Sequence, residues 1–242
     1  MGIFARFIDI IYPPRCHICR RFLASNGLEE RHFCFECLIV FSEITPPLCP
    51  VCGIPFESWV EEDHLCENCL RKRPFYDALG APYLYEKGIM DAIHQFKYAG
   101  KTHLADSLGP LLASYARGWL DDTERCLIMP VPLHPKKLRE RGFNQSLLLA
   151  RVIARLLSME LDFLSLIRIR YTRTQTGLNI RERQKNVRSS FGLTGKTGIK
   201  GRTVILVDDV VTTGNTINEC ARVLRKAGCD KIFCLVLART AA

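Results

Sequence analysis

The chain has 242 residues, 48% of them hydrophobic and 24% charged, with 12 cysteines and a formal net charge of +9. That hydrophobic share is enough to bury a proper core, and the length leaves room for a small second domain. No run approaches the roughly eighteen uninterrupted apolar residues of a membrane span, so no membrane-spanning helix is expected.

The charge is uneven. Residues 133–188 hold 13 Lys and Arg against 4 Asp and Glu, and the remainder holds 21 of each sign. The whole excess therefore sits in one segment, where it attracts a polyanion, either a small phosphorylated substrate or a nucleic-acid backbone; a solvated basic face has the same composition.

In chain order, the opening MGIFARFIDIIYPPRC has an apolar patch interrupted by Arg6 and Asp9 and lacks a small-residue cleavage site. It reads as an amphipathic helix ended by Pro13 and Pro14, in a cytoplasmic protein; one short helix gives little membrane anchoring. Eight cysteines follow in four C-x-x-C pairs: Cys16/Cys19, Cys34/Cys37, Cys49/Cys52 and Cys66/Cys69. CHICRRF and CPVCGIPF share one form, CFECL and CENCL another, so the module is an internal repeat. Tetrahedral zinc takes four soft ligands, and this spacing suits about two structural sites. Disulfides are disfavoured in a reducing compartment. The repeat favours sequential sites, while a cross-braced arrangement would exchange the second and third pairs. Four thiolates leave no open coordination position, so His17, His32 and His64 read as bystanders.

Arg71 to Pro74 reads as a linker, dividing the chain into a zinc-binding module, 1–75, and a second domain, 76–242. Ala78 to Tyr85 has the residues of an edge strand, given Pro82. Gly88 to Tyr98 carries Ile89, Ile93 and Phe96 at helical spacing; His94 on this helix and His103 beyond it read as surface or packing residues. Leu104 to Leu120 is a second helix, which Pro110 breaks or begins. Cys126 to Val131 is a buried strand. It leads into PLHPKKLRERGFNQS, where Pro132 and Pro135 predict a constrained loop over Leu133 to Lys137, rich in cations that suit a diphosphate. Asn144 caps a helix with Leu147, Leu148, Val152, Leu156 and Leu157 on its core face.

Tyr171 to Phe191 is a polar, basic segment, readable as a lid or as a solvent-facing hairpin. Thr203 to Val207 then form a β-branched apolar run of the kind covered on both faces of a parallel sheet. Asp208 and Asp209 follow at its carboxyl end, where ligands bind in open α/β sheets. Thr212, Thr213, Gly214, Asn215 and Thr216 come next, ahead of a helix from about Ile217 to Ala227. Free amides at a helix start favour an anion, so this loop is a phosphate nest; a simple cap and turn is the plainer reading. Lys231 to Ala238 is the last strand. Cys126, Cys220, Cys229 and Cys234 lack metal spacing and read as packing residues.

The paired acids and TTG loop of VDDVVTTGNT resemble the phosphoribosyl diphosphate (PRPP) signature of type I phosphoribosyltransferases. With PVPLHPKKLRERGFNQS, YTRTQTGLNIRERQKNVRSSF and the paired-cysteine knuckles, the chain resembles the ComF family of competence-associated phosphoribosyltransferase-like proteins over nearly its whole length. That resemblance implies an α/β fold: a type I phosphoribosyltransferase-like parallel sheet flanked by helices, with a small N-terminal zinc module. It implies PRPP bound with magnesium, with Asp208 and Asp209 on the ribose hydroxyls and Thr212 to Thr216 on the 5-phosphate. His134, Pro135, Lys136, Lys137 and Arg173 would face the diphosphate, and Tyr171 to Phe191 would be the lid. It also implies a link to uptake or handling of single-stranded DNA. The acceptor pocket has no readable signature. The competing reading is a non-catalytic factor binding single-stranded DNA or a competence helicase; few aromatics, chiefly Phe143, Phe163 and Tyr171, support base stacking there.

Overall fold

The computed structural model describes residues 13–23, 32–56, 62–98, 100–120, 126–171, 188–195 and 198–241. The expected opening helix and Arg173 lie outside them. In the cysteine module, α1 (Phe35–Leu38) and α2 (Glu67–Arg71) each start directly after a cysteine, Cys34 and Cys66, in extended conformation. Each short helix thereby turns the fourth cysteine of its set, Cys37 or Cys69, back towards the third.

The second part begins with β1 (Ala78–Gly80) and β2 (Tyr83–Leu84), followed by α3 (Lys87–Tyr98), a 3-10 turn (Thr102–Leu104) and α4 (Ala105–Trp119). Then come β3 (Cys126–Pro130), α5 (Pro135–Arg141), α6 (Gln145–Leu156), β4 (Glu160–Leu161), β5 (Leu166–Arg168) and β6 (Phe191–Leu193). The chain closes with β7 (Thr203–Val211), α7 (Asn215–Lys226) and β8 (Ile232–Arg239). The main sheet runs β1-β8-β7-β3-β4, with β2 also on β8, and every neighbouring pair is parallel. Apart from it, β5 and β6 form an antiparallel ladder that flanks the segment expected to be a lid.

The sheet is buried on both faces because its central strands carry unbroken apolar runs, Val204–Val207 in β7 and Ile232–Ala238 in β8. Ile205 and Val207 of β7 join Ile128, Leu235 and Leu237 against α3, α4 and α6. Val204 and Leu206 turn the other way, with Leu127, Met129, Cys234 and Val236, against α7 and the second cysteine lobe. Two-residue alternation thus builds two cores from one strand. On the first face α4 and α6 approach closely at Gly109, where an added Cβ would lie 2.5 Å from Val152 Cγ1.

Three local expectations change. Pro82 divides the predicted Ala78–Tyr85 strand into β1 and β2, since proline cannot donate to the ladder. Pro110 lies inside α4, neither breaking nor starting it; it is exposed, so water can serve the carbonyl that loses its partner. β7 continues four residues beyond Val207, through both acids, because Asp208, Val210 and Val211 still pair with β8. Among the described residues no helix is long and apolar enough to cross a membrane.

Candidate functional site

Cys16, Cys19, Cys34 and Cys37 bring their sulfurs together within 4.8 Å of one another, and Cys49, Cys52, Cys66 and Cys69 do the same. The pairing is therefore sequential. All 12 cysteines are free thiols, and Cys19 Sγ to Cys34 Sγ and Cys52 Sγ to Cys66 Sγ are each 3.6 Å, too long for a disulfide. Burial opposes ionisation of Cys16 and Cys49, but backbone N–H groups aimed at their sulfurs prevail and bring each down to about 7. Those amides favour thiolates, the form that binds metal. These are two zinc-binding sites, each made of four cysteines.

The second centre of interest lies at the carboxyl end of β7. A pocket there is lined by Asp208 and by Val210–Ile217. Gly214, with φ of +71°, is the N-cap of α7, and its left-handed backbone turns the chain from strand into helix. Thr212 and Thr213 are exposed on the loop, whereas the side-chain amide Nδ2 of Asn215 is buried and without a hydrogen-bond partner. A buried donor left unsatisfied costs roughly 1–3 kcal/mol, which an oxygen-rich ligand would relieve.

Strand alternation separates the two acids. Asp208 faces the pocket, held by the Ser146 hydroxyl, which donates to Oδ1 at 2.7 Å, and by the Asp209 amide at 2.9 Å. Asp209 is buried, and its Oδ1 lies 2.8 Å from Lys97 Nζ at the end of α3. Burial and the neighbouring Asp209 push Asp208 up to about 7, against the Ser146 hydrogen bond and the Lys97 charge. Burial works against the Lys97 ammonium, but the two carboxylates overcome it and raise its pKa.

The predicted basic loop is partly helical. His134 is the N-cap of α5, its Nδ1 accepting from the Lys136 amide at 3.2 Å, and Pro135 occupies the first helical turn. Proline is favoured there because that N–H has no helical partner to lose. Lys136 and Lys137 thus stand on the first turn of a short helix. Lys136 Nζ lies 4.8 Å from the centre of the Tyr171 ring, which meets the His134 ring edge-on at 5.3 Å. Burial and then the charges of Arg168 and Arg141 lower the pKa of Lys137, as a cluster of cations facing one space would.

A double zinc ribbon domain family matches residues 7–70, and a phosphoribosyl transferase domain family matches residues 144–242. The chain is 34% identical over 232 residues to "DNA utilization protein YhgH" of Escherichia coli strain K12, spanning 94% of this chain and 98% of that protein. It is 32% identical over 235 residues to "Competence protein F" of Haemophilus influenzae, covering 93% and 96% of the two chains. The chain belongs to the ComF family. A further relative, "Competence protein ComFC" of Bacillus subtilis, is 25% identical over 207 residues, 82% of this chain and 80% of that one.

In this ComF chain the sequence motifs named the pocket residues but missed Lys97, Ser146 and Arg168. Lys97 closes an amphipathic helix and Arg168 ends a short strand, so neither stands in a motif, whereas Ser146 opens another helix as the last residue of PVPLHPKKLRERGFNQS. The capping position of Asn144, whose Oδ1 accepts from the Ser146 amide at 3.1 Å, is the one local signal that a helix start lies beside the acids.

Proposed function

We propose that this ComF chain binds PRPP with magnesium at the carboxyl edge of β7 and acts as a phosphoribosyltransferase in DNA uptake or utilisation. The observation that carries the reading is one pocket lined by both a carboxylate, Asp208, and a helix-start loop with a buried, partnerless amide, Asn215 Nδ2. A ribose phosphate needs an acceptor for its hydroxyls and donors for its phosphate, and these are what the two sides supply. The names of the relatives support the DNA link.

The loop from Thr212 to Thr216 would hold the 5-phosphate, and Asp208 the ribose hydroxyls. Asp209, paired with Lys97, sets the local charge and orients the strand end. His134 and Pro135 open the turn that would present Lys136 and Lys137 to the diphosphate; the expected role of Arg173 falls outside the described residues. Hard carboxylate oxygens fit magnesium, for which Asp208 would be the protein's anchor in the pocket. Magnesium would neutralise charge on the departing diphosphate. Positive charge grows on the sugar as its bond to diphosphate breaks, and the half-buried Asp208 carboxylate would stabilise it.

Calorimetric titration of PRPP with magnesium is expected to show binding by wild type and none by the Asp208→Asn/Asp209→Asn protein. Equal binding by the two would sink the assignment. The raised pKa of Asp208 gives a second readout. Its ordinary value is 3.8 and its folded value about 7, so between those the folded state holds more protons than the unfolded one. Stability from this group therefore falls as pH rises through that window and levels off above it. Asp208→Asn is expected to flatten the fall while weakening magnesium-dependent binding, measured by thermal melts from pH 5 to pH 8.

The Tyr171 cluster favours a second reading, in which the basic face stacks and holds single-stranded DNA near a helicase partner. Tyr171 is 40% exposed, with His134 and Lys136 against it. DNA binding through several phosphates would collapse between low and moderate salt, whereas PRPP binding would follow magnesium. Tyr171→Ala separates the two, since it should weaken DNA binding and spare PRPP.

A further inference from the structure

Three histidines far apart in sequence meet where the first zinc ribbon touches the second domain. His17 and His32 come from the ribbon, and His103 from the 3-10 turn before α4. Their ligating nitrogens all lie within 4.8 Å of one another, with His17 Nε2 3.2 Å from His103 Nε2. Ring centroids are 5.7, 5.1 and 4.8 Å apart, and the planes are tilted by 48° to 60°, so the rings converge on a point and do not stack. Around a tetrahedral ion with metal–nitrogen bonds of about 2.0–2.1 Å, neighbouring nitrogens stand roughly 3.3–3.4 Å apart, close to the His17–His103 separation.

We infer that His17, His32 and His103 form a third metal site, separate from the two all-cysteine centres, that takes a divalent transition ion such as zinc, nickel or copper and clips the first ribbon to the second domain. All-imidazole donors select these borderline ions over magnesium or calcium. Three ligands leave a fourth position open to water or an outside donor, in contrast to the closed thiolate sites. None of the three rings is fully buried, so the site is within reach of ions in solution.

The surroundings also show how the site is controlled. Lys101 Nζ lies 3.0 Å from His17 Nδ1 and donates to Gln95 Oε1, while Gln95 Nε2 donates to the His17 carbonyl. A metal-bound histidine requires its other ring nitrogen to carry a proton and face an acceptor. A lysine donor at that position opposes loading, both by taking the nitrogen's lone pair and by its charge. Metal entry therefore requires Lys101 to leave His17 Nδ1. Asp106, on the first turn of α4, is near enough for its charge to be felt at His103 and offsets part of the ion's charge.

The test adds cobalt(II) to the untagged, zinc-loaded full chain under reducing conditions. Wild type is expected to bind one further equivalent, with visible absorption that lacks a thiolate charge-transfer band. His103→Ala, at an exposed position, should keep both zinc ions and the fold by circular dichroism but lose that equivalent. Lys101→Met should bind cobalt at least about tenfold more tightly, as expected when a unit positive charge is removed from beside a dication. Equal uptake by wild type and His103→Ala overturns the site, and unchanged affinity in Lys101→Met overturns the control assigned to the lysine.

Discussion

The two zinc ribbons repeat one sequence form yet are embedded differently. All four cysteines of the second belong to the core shared by β7, β8 and α7, and its Cys52 carbonyl accepts from the buried Arg239 guanidinium at the end of β8. That cation stands beside thiolates that, with zinc, carry net negative charge, so the site's charge is balanced by the sheet itself. In the first ribbon three buried cysteines share a small cluster with Leu23 and Ile18, and Cys19 is exposed. Its ties to the second domain run through Phe33, which joins the other core with Ile18 and Leu38 packed against it, and through the contacts of His17 and His32. The same metal chemistry thus serves as part of the sheet's own core in one copy and as a peripheral module in the other.

Removing one ligand from each ribbon is the strongest way to break that contrast. Structural zinc supplies on the order of 10–16 kcal/mol in small fingers, against a domain stability of about 5–15 kcal/mol. Cys52→Ser is therefore expected to lose one zinc and the cooperative melting of the entire chain. Cys19→Ser should lose one zinc while the α/β domain still melts cooperatively within a few degrees of wild type. Zinc content by plasma mass spectrometry and scanning calorimetry read both; collapse of both variants alike would erase the distinction.

Gly53 gives the next effect. It follows Cys52 with φ of +66°, and an added Cβ would lie 2.5 Å from the Leu79 carbonyl oxygen of β1. A backbone atom cannot swing aside, so Gly53→Ala combines left-handed strain with overpacking, about 3 kcal/mol in all. Denaturant midpoints should fall accordingly, with two zinc ions still bound.

The order in which these features were legible follows their physics. The cysteine pairs could be read because the metal fixes ligand type and local spacing, but the choice of sequential over cross-braced sites depends on how α1 and α2 turn, which spacing does not encode. β7 was legible as an apolar run, yet its end was not, because Asp208 and Asp209 ended the apolar pattern without ending the ladder to β8. The pocket loop stood in the sequence as a contiguous motif. Lys97 did not, and the contact of Ser146 with Asp208 was not legible either, since each reaches an acid only when α3 and α6 pack against the sheet. The histidine trio is hidden in the sequence for the same reason: each is a lone histidine there, and convergence is a property of the fold.

Arg20 sharpens the comparison at its smallest scale. It is the counterpart of Gly53 in the repeat, directly after Cys19, and it holds nearly the same left-handed backbone, with φ of 65° against 66°. The knuckle therefore demands that conformation regardless of the residue, because the turn must bring two thiolates to one ion. An arginine adopts it at a cost of about 1–2 kcal/mol that glycine avoids. In the first ribbon there is room for the side chain, which is exposed; in the second, the Leu79 carbonyl occupies that space. Arg20→Gly is accordingly expected to stabilise the first ribbon by about 1 kcal/mol, partly offset by the greater freedom of glycine in the unfolded chain. Slower loss of the first ribbon's zinc to a chelator, with release from the second unchanged, is the expected readout; equal slowing at both sites would mean that the two ribbons unfold as one unit.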